Sequence, residues 1–295
     1  MSVKDNLKIY QARVEKQLDE RLHYNSIEDT LQAAMRYSVF NGGKRIRPIL
    51  IYLTNQALKG NLEDADSAAC AIEAMHSYSL VHDDLPAMDD DHLRRGKPTC
   101  HIQYDESTAI LAGDALQCIA FDWLSSDKNN LSSERRLQMV GVLSRASGDL
   151  GMVAGQAFDL ANVNKPLNIQ QLESMHRCKT GALISAAVEL GIISANIQIS
   201  PDTCRSLIDY ACAIGLAFQV QDDILDITGD TKTLGKPQGS DQAANKPTYP
   251  ALLGLAGAQH KLKALHLEAI EALDCLGKDG SELRELADYI IARNH

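Results

Sequence analysis

An all-α fold is predicted by two features of this sequence. Apolar residues recur mostly at three- and four-residue spacing, and the longest such stretches, "ADSAACAIEAMHSYSLVHDD" and "CRSLIDYACAIGLAFQVQDDILDI", are rich in alanine. That spacing and that composition favour amphipathic or buried helices. Alternating apolar and polar runs, the mark of half-buried strands, are absent. Helices are therefore expected over 4–22, 27–40, 48–58, 64–85, 106–124, 133–147, 150–160, 169–191, 202–227, 248–257, 258–275 and 281–293.

Taken in order, the first helix is charged throughout and lacks the apolar core of a signal peptide. Three segments interrupt the pattern: "NGGKRIRP" (41–48), "DDDHLRRGKPT" (89–99) and "GDTKTLGKPQGSDQAANKPTYP" (229–250). Each is rich in Gly, Pro and charge, so each reads as a loop. Loops of this kind in a compact domain are often lids or binding loops, and all three carry Lys or Arg. The most apolar later run, 181–197, includes Glu189 and is too short to span a bilayer.

The chain has 295 residues, 45% hydrophobic and 23% charged, with little proline, which is the composition of an ordinary soluble globular protein. No linker divides it, so one domain over 1–295 is expected. The net charge of −10 argues against a general nucleic-acid binder, and an anionic ligand must be met by local basic groups. Seven scattered cysteines without a C-x-x-C pair suggest neither a disulfide framework nor a thiolate zinc site. A cytoplasmic protein without membrane insertion is expected.

Two acidic clusters carry the chemistry. "LVHDDLPAMDDD" ends one apolar helix, and "QVQDDILDITGD" ends another 139 residues later. Asp222 and Asp226, four residues apart, share a helix face, with Asp223 adjacent. Asp83 and Asp89 are six apart, on different faces of a regular helix. Pro86 disfavours helical geometry at Leu85, so the helix should end there and let the chain swing Asp89 back toward Asp83. Clustered carboxylates suit hard cations, and an open site completed by phosphate oxygens is a usual setting for magnesium. One such cluster is more often a solvated helix end, but two that echo each other point to Mg²⁺.

Basic groups supply the counterpart. Lys44, Arg45 and Arg47 flank Pro48 at a helix start, where unbonded N–H groups favour phosphate. Arg94 and Arg95 follow the first acidic cluster and offer guanidinium forks to phosphate oxygens. His76, seven residues before Asp83, shares nearly its helix face. Lys179 and Thr180 lie in an otherwise apolar region, where burying an unpaired cation is costly, so a polar cavity beside them is expected.

Together, "GGKRIRP", "DDLPAMDDDHLRRGKPTCH", "KTGALI" and "QVQDDILD" resemble, in order and across most of the chain, the motifs of the trans-prenyltransferases, the isoprenyl diphosphate synthases, in their bacterial farnesyl-forming branch. The resemblance implies an all-α bundle around a deep central cavity, a homodimer, and isoprenyl diphosphates as small-molecule partners. It implies three Mg²⁺ ions, replaceable by Mn²⁺, with Asp83 and Asp89 holding two and Asp222 the third, while Asp84, Asp223 and Asp226 complete the motifs. Arg94, Lys179 and Lys236 would meet an allylic diphosphate. Thr180 and Gln219 would steady the allylic cation or its tail. Isopentenyl diphosphate would be held by Lys44, Arg47, His76 and Arg95, with Gly43 permitting close backbone approach. Lys236 would ride on a lid, with Lys246 a weaker candidate and Asn245 standing where many relatives have Gly.

Product length in such enzymes is set by what blocks the cavity below the aspartates. Here the fifth and fourth residues before Asp83 are Tyr78 and Ser79, and the bulky ring implies a fifteen-carbon product made in two condensations. A geranylgeranyl synthase of the same family is the alternative. Two other readings compete. "VHDD" mimics metal-dependent phosphohydrolases that use the histidine as a ligand, which here would be His82, and a terpene cyclase would also ionise an allylic diphosphate. The first leaves "QVQDDILD" without a reason, and the second has no use for the basic set at 44, 47 and 95.

Overall fold

The computed structural model describes residues 3–126, 130–229 and 247–293. Helices α1 (Val3–Arg21), α2 (Asp29–Val39), α3 (Ile46–Ala57) and α4 (Leu62–Asp83) open the fold. A short hairpin follows, β1 (Leu93–Arg94) with β2 (Lys97–Pro98), and then α5 (Cys100–Gln103), α6 (Glu106–Ser125), α7 (Ser133–Ser147) and α8 (Met152–Ala161). Helix α9 (Ile169–His176) runs through a π-helical turn, Arg177–Gly181, into α10 (Ala182–Ser194). The long α11 (Pro201–Thr228), α12 (Tyr249–Ala272) and α13 (Ser281–Ala292) complete the chain.

Helix α4 is the hub. Its alanines 65, 68, 69, 71 and 74 are fully buried, and short side chains on every face let it pack against α3, α6 and α10. Asn61 starts it, its side chain accepting the Glu63 N–H at 3.1 Å. Helix α10 is likewise apolar on all sides, and Gly191 admits α3, because a Cβ there would stand 2.8 Å from the Ile51 carbonyl oxygen. A second apolar cluster joins α9, α11 and α12 through Leu172, Val220, Ile224, Tyr249 and Leu262.

Apart from the short α5, which lies where no helix is expected, the predicted helices match within a few residues, with three differences. The helix expected over 169–191 contains the π-helical turn. The break placed between 257 and 258 falls at Gly254, whose φ of 70° lies outside the helical region. The hairpin at 93–98 was not expected; Arg95 (φ 55°) and Gly96 (φ 77°) make its tight turn. All seven cysteines are unpaired. No helix among the described residues is long and apolar enough to cross a membrane.

Candidate active site

The first acidic cluster forms as Pro86 requires. Helix α4 stops at Asp83, and the chain turns so that the Asp89 N–H donates to the Asp83 carbonyl at 2.9 Å. Burial pushes the Asp83 carboxyl up to about 6, Asp89 adding repulsion while Lys179 and Arg94 oppose. Asp84 turns elsewhere. At 3% exposure it receives the Arg94 guanidinium on both oxygens, Nε lying 2.7 and 2.9 Å away. Arg94 is thus committed to Asp84, and the pair fixes the acidic turn to the hairpin.

The tight hairpin turn sends Arg95 the other way from Arg94. Its guanidinium donates to the Gly42 carbonyl and lies over Gly43, where a Cβ would stand 2.6 Å from Nη1. Gly43 (φ 121°) therefore admits this arginine as well as a backbone turn. Beside it stand Lys44, Arg47 and His76. Burial pulls Arg47 down to about 10, Arg95 adding repulsion while Glu73 and Asp222 oppose. Burial, then Arg47 and Arg95, hold His76 well below its ordinary range. Burial and the neighbouring Arg293 and Arg95 lower Lys44 too, with Asp222 opposing. Like charges are held close here, and Arg47 Nε meets no partner among the described residues, so the pocket is strongly positive. Helix α3 strengthens it: its first turn has no side-chain cap, and Ile46 and Arg47 present their N–H groups there. Arg45 does not take part. It is buried against Glu73, 2.6 Å away, and the Val39 carbonyl, so it is a structural residue.

At the second cluster Asp222 meets a cation that no motif announced. Arg293, just past α13, reaches Asp222 Oδ1 at 2.7 Å, lies over the Phe218 ring at 3.7 Å and donates to the Phe218 carbonyl. Asp223 accepts the Tyr249 N–H at 2.9 Å and Gln219 Nε2 at 3.1 Å, so it ties the start of α12 to α11. Asp226, 2% exposed, borders a cavity of about 630 Å³ with Thr248 and Pro250.

Lys179 and Thr180 stand between the clusters, on the π-helical turn. Burial acts against the Lys179 charge, but Asp159, 2.7 Å away, with Asp83 and Asp89, outweighs it and raises its pKa. Thr180 Oγ1 donates to Gln219 Oε1 at 3.4 Å. Both residues line the small cleft toward Asp223 and the larger cavity toward Asp83. The turn is held by Gly155 of α8, where a Cβ would come within 2.2 Å of the Lys179 nitrogen. A π-turn inserts one extra residue and often marks a functional site.

Below the aspartates lies a largely apolar cavity of about 520 Å³, bordered by Asp83, Tyr78, His82, Met152, Gln156 and Leu183. His76 and Ser79 also face it, so the residues placed on one face of α4 by spacing do share one space. Ser79 Oγ donates to the His76 carbonyl at 2.8 Å. His82 Nε2 faces the Ile110 carbonyl at 3.0 Å, so the ring is engaged by α6, against the ligand role a phosphohydrolase would give it.

Residues 28–285 match the polyprenyl synthetase family. The chain belongs to that family. It is 48% identical to the farnesyl diphosphate synthase of Haemophilus influenzae over 290 residues, 98% of each chain. It is 52% identical to the farnesyl diphosphate synthase of Escherichia coli over 264 residues, 88% of each. Among solved structures, the Helicobacter pylori geranyltransferase complexed with magnesium and isoprenyl diphosphate aligns over 97% of this chain and 96% of that one, with a TM-score of 0.83 and 36% identity. The chain is a prenyltransferase of all-α fold.

Within this polyprenyl synthetase site, three participants were not read from the sequence. Arg293 pairs with a carboxylate 71 residues earlier, which no local pattern reveals. Asp159 and Gln156 sit three apart in "GQAFDL" on α8, a spacing that puts both on the cavity side and offered the one available signal. Gln156 is 9% exposed, and neither side-chain polar atom has a partner among the described residues. Lys236, Lys246 and Asn245 lie outside the described residues.

Proposed function

We propose that this chain condenses isopentenyl diphosphate with dimethylallyl and then geranyl diphosphate to give (2E,6E)-farnesyl diphosphate and diphosphate. The observation that carries the reading is the placement of Lys179 and Thr180, which line both the apolar cavity bordered by Arg47, His76 and Asp83 and the small cleft bordered by Gln219 and Asp223. An allylic diphosphate fits the clusters with its tail in the apolar space. The basic pocket seats the second diphosphate.

The donor sets fit hard cations. Among the described residues no three His, Cys, Asp or Glu are grouped so as to hold a metal by themselves, so an ion at either acidic patch would need phosphate oxygens for its remaining positions. Asp83 and Asp89 would hold two ions and Asp222 a third, with Asp226 supporting it, while Asp84 and Asp223 act through Arg94 and Tyr249. Mg²⁺ held by these residues, proposed as three ions and replaceable by Mn²⁺, would supply positive charge to offset that of the leaving diphosphate. Lys179 adds fixed positive charge beside the breaking bond, and Lys236 is proposed to do the same. The allylic C–O bond breaks with its electron pair leaving on diphosphate. Thr180 and Gln219 present oxygen dipoles to the cation. Lys44, Arg47, His76 and Arg95 hold isopentenyl diphosphate so that its double bond attacks the cation, and the proton then passes to the released diphosphate.

Incubation with isopentenyl and geranyl diphosphates, with and without Mg²⁺, tests this directly. Farnesol is expected after dephosphorylation, only with Mg²⁺. A C20 alcohol would move the chain to the geranylgeranyl branch, and no condensation would return a cyclase to the front. Asp83→Asn and Asp222→Asn are both expected to abolish turnover, with opposite effects on stability. Folding raises the Asp83 pKa, so removing that charge should leave the melting temperature unchanged or higher. Removing Asp222 deprives Arg293 of its carboxylate and should lower it. A homodimer is also proposed, supported by the exposure of the large apolar side chains Leu111 on α6, Leu137 on α7 and Leu150 in the turn that follows, at 57%, 71% and 78%. Light scattering should give twice 32.2 kDa.

A further inference from the structure

Tyr78 does not stand alone at the bottom of the cavity. Helix α4 presents Tyr78 and His82 one turn apart, their rings edge to face with centroids 5.0 Å apart and planes at 73°. Helix α6 presents Ile110, Gly113, Asp114 and Gln117, the spacing of one helix face. The two faces interlock. His82 Nε2 donates to the Ile110 carbonyl at 3.0 Å and lies 3.9 Å from Asp114 Oδ1. The Tyr78 hydroxyl meets the Gln117 side chain.

Gly113 makes this contact possible. A Cβ built there would stand 2.2 Å from His82 Nε2 and 2.4 Å from Cδ2, closer than atoms can approach. The bare backbone of α6 is thus the seat of the imidazole. Gly113 lies within a regular helix, where glycine is less favourable than alanine, and what its bare backbone supplies there is this space. His82 and Ile110 also border the cavity itself, so any shift of the ring changes the space available to a growing chain.

We infer that Gly113 and His82 are specificity-determining residues: the glycine seats the imidazole, the imidazole buttresses the Tyr78 ring, and the three together set product length. The inference rests on the prenyl-transfer reading and on Tyr78 as the floor. His82 and Gly113 act on length by positioning, without touching the reacting atoms.

The two substitutions pull in opposite directions. His82→Ala removes the buttress and opens space beside Tyr78, so the C20 to C15 product ratio should rise about tenfold, the effect of a group of this size on pocket discrimination. Gly113→Ala expels the ring from its seat toward the cavity, so product should shift to C10, with KM for geranyl diphosphate raised more than that for dimethylallyl diphosphate. The double variant has room for the new Cβ and should resemble His82→Ala. Should Gly113→Ala fail to fold, the double variant decides in its place: lengthened product supports the seat and buttress, and wild-type product overturns them. A purely structural role would lower melting temperature in both single variants without moving the product ratio. Tyr78→Ala separates the two levels of the argument. If it lengthens the product while His82→Ala and Gly113→Ala leave the distribution unchanged, the buttress is refuted and the floor stands. If it too leaves the length unchanged, the floor reading itself falls.

Discussion

His176 is 7% exposed, stacked on the Tyr249 ring at 5.9 Å, and neither of its ring nitrogens meets a partner among the described residues. Burial pushes its imidazole down to about 4, Lys179 adding to the effect and Asp159 opposing. In the unfolded chain a histidine titrates near 6.5, so between roughly 4 and 6.5 the unfolded state binds more protons. Stability contributed by the neutral ring is full above 6.5 and is lost as pH falls toward 4. His176→Phe, which keeps the stacking, should flatten the dependence of unfolding free energy on pH across that window, measured by urea denaturation. An unchanged slope would assign the dependence to other groups. At this same scale, Asp83 and Asp89 were legible because Pro86 forces their approach within one local turn. The fates of Asp84, Asp222 and Asp223 were not, because their partners Arg94, Arg293 and the Tyr249 N–H are chosen by tertiary packing. An acidic motif tells where carboxylates are, and the fold decides which of them face the ligand.

Elements were the more legible level, for a physical reason. Period 3.6 burial extends over many residues and tolerates local irregularity, so the long helices were recoverable. By the same tolerance, one inserted residue at Arg177–Gly181 leaves the apolar pattern nearly unaltered and hides the π-turn. Strands of two residues have no alternation to detect, so the hairpin that aims Arg94 and Arg95 went unread. How firmly the basic loop is anchored can be tested through Arg45 and Glu73, whose side chains are 2% and 3% exposed. Glu73→Leu strands a buried guanidinium and should cost about 3 kcal/mol or more in urea unfolding, whereas Arg45→Met with Glu73→Leu should cost clearly less. Equal losses would mean that the pair holds α3 to α4 by packing alone. The link to function is direct, since Arg45 is the residue from which α3 and its uncapped first turn begin.

Across the whole molecule, a chain of net charge −10 that is proposed to bind two anions would resolve that conflict by separating two seats. The basic pocket concentrates Lys44, Arg47 and Arg95 around His76, and burial, with the neighbouring like charges adding to it, lowers the pKa of each. The acidic seat carries the opposite strain at Asp83. Each should be relieved by its own ligand, so inorganic diphosphate should stabilise the protein in two separable ways. Without metal it should bind the basic pocket, and the gain should vanish in Arg47→Gln yet persist in Asp83→Asn. With Mg²⁺ a second gain should appear that vanishes in Asp83→Asn. At about a hundred times its dissociation constant a ligand contributes about 2.7 kcal/mol, which for a chain of this length corresponds to ~4 °C in melting temperature. Scanning calorimetry of the three proteins in matched ionic strength measures both gains. If Arg47→Gln abolishes the metal-dependent gain as well, diphosphate has a single seat and the division of labour between the pockets is wrong. Independent losses would establish that two diphosphates are held at once in separate seats, as a condensation of two such substrates requires.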